Sequence, residues 1–375
     1  MEPATKRISQ IEPWLGEEEK KELLEVIDSG WFTEHKKTRE LERQFAAFVG
    51  SPHATLVTSG TVALYVALKA LGVQHGHEVI VPDLTFVASV GAIEACGARP
   101  VLVDIERETL CLDLEQTEKA ITKQTKAIMP VHFNGRSPDM ARLLKIAGNH
   151  GIPILEDACH TTGCWQKGKH LGTFGEIGAF SLSTPKIITT GQGGVLVTGR
   201  KALADRFVML KDFGRDMSKK HEMAHAFEHQ TVGYNFKFTE FQAAVGLAQM
   251  RKLEWRVRRK RQIFALMREL LREVKQVEFL DMDLEETVPW FNDCLLADAN
   301  NRPGLISHLE SRTIGTRVFY PPIHRLPAYS NFRGNWPVSE ELSPRGLWLP
   351  SSSFLSDEDV VRVCRAIAEY FSRTA

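Results

Sequence analysis

Six cysteines occur in the chain, at Cys96, Cys111, Cys159, Cys164, Cys294 and Cys364, and no two of them form a CxxC pair. That spacing argues against a zinc ribbon or a thioredoxin-type redox site. No apolar run approaches the length of a membrane span. The stretch Met1–Glu19 is polar and lacks an apolar h-region, so it does not read as a signal peptide. Excess charge is absent as well: 47 Lys plus Arg stand against 47 Asp plus Glu. A dedicated nucleic-acid binder carries a basic excess, so that class of function is disfavoured. No repeat or low-complexity segment interrupts the chain, and 43% hydrophobic residues exclude disorder. These absences predict a soluble protein in a reducing, cytoplasmic setting. The 375 residues are enough for a real core and for roughly two domains.

From about residue 54 short β-branched runs alternate with helical patterns. Strands are expected at Ala54–Thr58, Glu78–Val81, Pro100–Ile105, Lys126–Phe133, Ile152–Glu156, Ile177–Leu182 and Gly194–Thr198. Helices are expected between many of them, as at Thr61–Leu71, Val87–Cys96 and Pro138–His150. The alternation predicts an α/β fold, a mostly parallel seven-stranded sheet sandwiched by helices. Ligands of such sheets sit at the carboxyl ends of the strands. The texture changes after Thr239. Glu240–Met250 reads as an Ala-rich helix that continues through Arg251–Arg272, short strands follow, and an amphipathic helix closes the chain near Asp357–Phe371. The expected division is a large domain over residues 1–250 and a smaller α+β domain over residues 251–375.

Five segments carry candidate chemistry. In Phe180–Lys186 a hydrophobic strand ends in a Ser/Thr-rich turn, and Pro185 keeps Thr184 out of helix. Lys186 then sits at a strand end where desolvation favours the neutral amine that attacks carbonyls. Taken alone it also reads as a surface loop lysine. In Leu155-Glu156-Asp157 an apolar run ends in two acids, and a carboxylate there can hold a pyridine nitrogen protonated. A capping acid reads the same way. Thr58-Ser59-Gly60-Thr61 precedes an apolar helix and makes an anion site, or a plain N-cap. Phe86 follows a strand and a Pro turn, placed to cover a flat ring or to join the core. Gly233-Tyr234-Asn235 is a turn before a long helix that can present an amide to a phosphate.

Together these segments resemble the DegT family of pyridoxal-phosphate (PLP) enzymes, the sugar-nucleotide aminotransferases with the fold type I architecture of aspartate aminotransferase. The resemblance runs from about Trp31 to the C-terminal helix and includes Tyr320–Tyr329 and Trp348-Leu349-Pro350-Ser351. It implies that Lys186 is the catalytic lysine that bonds to PLP and that Asp157 meets the pyridine nitrogen. It implies that Phe86 stacks on the ring, that Gly60, Thr61 and Ser181 bind the phosphate, and that His160 lies near the phenolic oxygen. Asn235 matches an asparagine that reaches the neighbouring subunit's phosphate, which implies a homodimer with shared active sites. His324, and Trp31 and Thr33 in a loop that lies against the sugar nucleotide, match the substrate side.

The implied reaction moves an amino group from L-glutamate to a nucleotide-linked 4-keto-6-deoxy sugar. Within the family the similarity is greatest to enzymes acting on GDP-4-keto-6-deoxymannose. The alternatives are a 3- or 4-aminotransferase for a dTDP- or UDP-linked sugar, and a non-catalytic regulator of the same fold. No metal, nucleic acid or membrane partner is implied. Two departures stand out. Glu34-His35 follows Thr33 where relatives usually place a glycine, and Asn134 stands where many have tyrosine, so a different sugar pocket is expected there. The basic stretch Arg251–Gln262 reads as a solvated helix face, with contact to a diphosphate as the alternative.

Overall fold

The computed structural model describes residues 6–215 and 228–374. Of the stretch Met1–Glu19, residues 1–5 lie outside them. No helix among the described residues is long and apolar enough to cross a membrane.

Strands β1 (His53–Val57), β2 (Glu78–Pro82), β3 (Arg99–Val103), β4 (Thr125–Ile128) and β5 (Leu155–Asp157) precede a short hairpin of β6 (Trp165–Gln166) and β7 (Lys169–His170). Strands β8 (Ile177–Ser181) and β9 (Gly194–Thr198) follow. Hydrogen-bonded order runs β3-β2-β4 in one group and β1-β9-β8-β5 in the other. Parallel bridges Ile128 to Ile154 and Val131 to Asp157 join β4 to β5. The result is one seven-stranded layer in which β9 alone runs against its neighbours. All seven expected strands are present. The fourth is shorter than Lys126–Phe133, because Pro130 has no N–H to continue the ladder and Phe133–Gly135 turns as a 3₁₀ segment.

Both faces of the layer are covered, which explains the unbroken apolar runs. Leu56, Phe180, Val195 and Val197 join one core, while Val57, Ala179 and Leu196 join the opposite one. Neighbours in sequence thus point to opposite faces, as the strand period of two requires. Each fully buried Leu or Phe in these layers contributes about 1.5–3 kcal/mol relative to exposure. The helix Gly60–Ala70 packs across β8 and β9.

A second, antiparallel sheet has the order β10-β11-β13-β12, from β10 (Val277–Glu278), β11 (Asn292–Leu296), β12 (Arg317–Val318) and β13 (Gly346–Leu349). Its core draws Ile263 and Met267 from the long helix, Leu305 and Leu309, Val360 and Ile367, and Ile8 from the start of the chain. The helix Glu240–Leu270 runs through residue 250 without interruption.

The basic stretch on that helix is in part the expected solvated face, with Arg251 and Arg258 51% and 61% exposed, and in part a set of internal ties. Lys252 is 8% exposed and paired with Glu19, Arg256 is 5% exposed and donates to the Ile187 and Trp14 carbonyls, and Lys260 is 5% exposed and donates to the Ser351 carbonyl. At these spacings the cations face three different neighbours, so the helix buckles the chain's two ends together. Burial pushes the Lys260 amine down to about 7, with the charge of Arg256 adding to the fall.

Candidate active site

The carboxyl ends of β1, β2, β5 and β8 and the start of antiparallel β9 meet at one edge of the layer. A cavity of about 300 Å³ opens there. It is lined by Gly60, Thr61, Phe86, Asp157, His160, Ser181 and Lys186 among others. Seven expected site residues from four separate segments are therefore brought to one place.

Lys186 follows the turn that ends β8. Its Nζ stands 3.9 Å from the centroid of the Trp290 ring, and the Trp290 Nε1–H donates to the carbonyl of Pro185 at 2.8 Å. Burial pushes the Lys186 amine from an ordinary 10.5 down to about 8; Cys159 and Asp157 oppose the fall and Arg317 adds to it. A lysine in this state keeps a useful fraction of neutral, nucleophilic amine near neutral pH.

Asp157 is the last residue of β5 and only 5% exposed. Its Oδ2 accepts from Ser89 Oγ at 2.7 Å and its Oδ1 from the Cys159 N–H at 3.2 Å. Ser89 in turn contacts the Thr85 hydroxyl at 2.8 Å. These donors fix the carboxylate's orientation while its remaining lone pairs stay free for a ligand donor.

Ser59 caps the helix Gly60–Ala70 by accepting from the Val62 N–H at 3.2 Å. The first N–H groups of a helix lack intrahelical partners and carry partial positive charge, which suits an anion. The approach is close: a Cβ on Gly60 would stand 2.9 Å from Ser181 Cβ, and one on Gly194 would stand 2.2 Å from the Ser59 carbonyl oxygen. Side chains at either glycine would fill the cradle.

His160 stacks on Trp290 with ring centroids 3.8 Å apart, and its Nδ1 accepts from the Asn134 N–H at 3.3 Å. Burial holds its pKa well below the usual value, with the charges of Lys186 and His132 adding to the effect. The ring is thus neutral with Nε2–H as its donor. Phe86 is half exposed at the cavity and 5.3 Å from Tyr320, so it is not core.

Other expected residues lie elsewhere. His324 is outside the cavity lining: its Nδ1 meets Asp83 at 2.8 Å, its Nε2 meets Glu340 at 3.0 Å, and it stacks on Trp336. Asn235 is exposed and bridges to Asp212. Trp31 and Thr33 are exposed in a loop that does not line the cavity. Asn134 is not a sugar-pocket group. It is fully buried at φ 55, and its amide both donates to and accepts from the Phe291 backbone, at 2.8 and 2.7 Å. Asparagine tolerates that left-handed backbone, which accounts for the residue type.

Trp290 and Arg317 also line the cavity and carry no local signal in the sequence, while Tyr320, which lines it too, opens the late segment Tyr320–Tyr329 but is not among the expected site residues. Ser89 lies a single turn past Phe86 in the same segment.

A lysine of depressed pKa, a fixed carboxylate, an exposed aromatic face and a helix-start anion cradle in one cavity match the four chemical parts of pyridoxal phosphate. A family model described as the DegT/DnrJ/EryC1/StrS aminotransferase family matches residues 13–368. The chain belongs to that family. As a DegT-family member it is a pyridoxal-phosphate-dependent transaminase of the sugar-aminotransferase class. It is 38% identical to the GDP-perosamine synthase of Escherichia coli O157:H7 across 98% of this chain and 99% of that protein. The crystal structure of the aminotransferase TlmJ from Streptoalloteichus hindustanus covers 99% of this chain at 28% identity, with a TM-score of 0.92 and all of that chain matched (100%). The PLP-form of the sugar aminotransferase Spr1654 from Streptococcus pneumoniae covers 99% of this chain and 100% of its own at 26% identity, with a TM-score of 0.91. Its fold is therefore fold type I.

Proposed function

We propose that this transaminase moves the amino group of L-glutamate to C4 of GDP-4-keto-6-deoxymannose, giving GDP-perosamine for a surface polysaccharide such as an O-antigen. The observation that carries transamination is Lys186, with its amine pushed down to about 8, in the same cavity as Asp157. Similarity over nearly the full length to a protein named GDP-perosamine synthase supports the sugar. The depressed Lys186 and fixed Asp157 favour catalysis over a regulatory role.

When bound, pyridoxal phosphate supplies a carbonyl that takes up an amino group and a ring that draws off the electron pair at the substrate's reacting carbon. Lys186 would hold that carbonyl through its amine, and the same amine, once free, would move the proton at the substrate's reacting carbon. Asp157, kept in place by Ser89, would hold the proton on the ring nitrogen. The N–H groups at Gly60 and Thr61, with Ser181, would hold the phosphate. Phe86 would cover a ring face, and the neutral His160 would offer its Nε2–H to the phenolic oxygen.

In this reading Trp31, Thr33 and His324 belong to the substrate side. The exposed Asn235 serves the phosphate of a second copy in a homodimer. Phe213, Val232 and Tyr234 near it in the chain are 41%, 75% and 44% exposed, apolar side chains that a partner would cover. Residues 1–250 form the larger, cofactor-holding domain and residues 251–375 the smaller one, joined through the helix Glu240–Leu270. The setting is cytoplasmic, where nucleotide sugars and glutamate are both available.

A panel of GDP-, dTDP- and UDP-linked keto sugars assayed with glutamate tests the reading. We expect kcat/KM for the GDP sugar to exceed the others by about 100-fold or more. A preference for dTDP or UDP, or amination at C3, would replace it with the alternative aminotransferase activities.

A further inference from the structure

The loop Trp31–His35 carries an acid, Glu34, and the structure shows where that side chain goes. Glu34 turns inward and is 7% exposed, with Oε2 2.9 Å from Nζ of Lys211. Lys211 is 1% exposed and also reaches Glu42 at 3.4 Å and the Leu56 carbonyl at 2.9 Å. Arg39 bonds to Glu34 and, at 2.7 Å, to Glu42. Glu42 accepts the Leu56 N–H at 2.9 Å. The loop is thus tied through buried charges to β1, the strand that leads into the Gly60 cradle.

A second clamp holds the loop's other end. The Glu240 carboxylate accepts four bonds, from the N–H groups of His35, Lys37 and Thr38 at 2.9, 2.8 and 2.9 Å and from the Thr38 hydroxyl at 2.7 Å. It caps the helix Lys36–Val49 from outside, where negative charge is favoured. The Glu240 N–H donates to the Phe32 carbonyl at 3.1 Å, and Phe32 stacks on Phe241 at 5.2 Å. In the same turn Gln242 donates to the carbonyl of Gln192 at 2.7 Å, and Gln192 lines the Lys186 cavity. One helical turn therefore separates the loop from the cavity wall, and Trp31 is left 52% exposed on that pinned loop.

We propose that Glu34, held by Lys211, is a positioning residue for acceptor binding: it fixes Trp31 and Thr33 one helical turn from the cavity wall and sets affinity for the sugar nucleotide. Glu34 itself touches no reacting atom. The inference rests on the reading that this loop meets the acceptor.

The test compares Glu34→Gln and Trp31→Ala in the PLP-loaded enzyme. Two quantities are read: KM for the keto-sugar nucleotide, and the rate at which glutamate alone converts the cofactor, followed by its visible absorbance. Glu34→Gln keeps the shape and removes the charge, so acceptor KM is expected to rise about tenfold, because small misplacements of binding groups are costly. The glutamate step is expected to stay within about twofold. Amide exchange over residues 31–38 is expected to quicken while that of the helix Gly60–Ala70 does not. Lys211→Arg, which keeps the charge but changes its reach, is expected to give the same split and guards against a Gln variant that fails to fold. If Trp31→Ala raises acceptor KM while Glu34→Gln and Lys211→Arg leave it unchanged, positioning by Glu34 is wrong although the loop binds acceptor. If Trp31→Ala leaves acceptor KM unchanged, the loop reading fails and the proposal falls with it. An equal loss in both half-reactions makes Glu34 merely structural.

Discussion

Lys186→Ala is expected to yield a folded protein whose kcat/KM with glutamate and a keto-sugar nucleotide is lower by about 10⁴-fold or more. Two separate functions are lost, the covalent hold on the cofactor and the proton shuttle at the reacting carbon. Folding is spared because the Lys186 side chain reaches into the cavity beside Trp290 and no carboxylate among the described residues forms an ion pair with it. The pH behaviour gives an independent check. With the amine pushed down to about 8, roughly a tenth of it is neutral at pH 7, against about one part in 3,000 for an ordinary lysine. Covalent loading of cofactor-free protein with PLP is therefore expected to rise with pH and level off above about 8. The stability sign follows the same shift. Between about 8 and 10.5 the folded state holds fewer protons at this lysine than the unfolded chain does, so stability rises with pH there, and the alanine variant lacks that rise. A variant that retains full turnover refutes the assigned role.

The second large effect is expected at Asp157. Asp157→Asn keeps the size of the side chain and can still accept from Ser89, so the fold and its melting temperature should persist. An amide cannot stabilise a protonated ring nitrogen, and without that proton the ring draws electrons weakly. We expect kcat to fall by about 10²–10⁴-fold, in line with loss of a placed charge that acts on the transition state. Measured kcat beside thermal unfolding separates the two possibilities. A drop in melting temperature with turnover unaffected would make Asp157 a structural acid at a strand end.

Much of the site was legible because its parts are local. Asp157 closes a strand, Gly60 and Phe86 stand at helix starts, Lys186 follows the turn after β8, and parallel strands bring such ends together. The strands were legible for a related reason: buried on both faces, they read as unbroken apolar runs such as Ile177–Ser181. What the sequence hides is the other wall. Trp290, Arg317 and Tyr320 reach the cavity from far along the chain, and only tertiary packing brings them to Lys186. Charge patterning misleads on the long helix, where Lys252, Arg256 and Lys260 look solvated but bond to carbonyls and a carboxylate inside the protein. The helix Glu17–Ser29 escaped notice because it buries little beyond Glu19 and Val26 and holds on by ion pairs to the same long helix. Asn134 shows the converse error, a polar residue whose purpose is backbone geometry.

The chemistry proposed here turns on one covalent bond. Borohydride reduction of the PLP-loaded protein, followed by mass mapping of its peptides, reads that bond directly. The account predicts a single pyridoxyl group on the peptide containing Lys186, lost when the protein is treated with glutamate before reduction. A label on another lysine, or none on a protein that binds PLP and transfers amino groups, would contradict it.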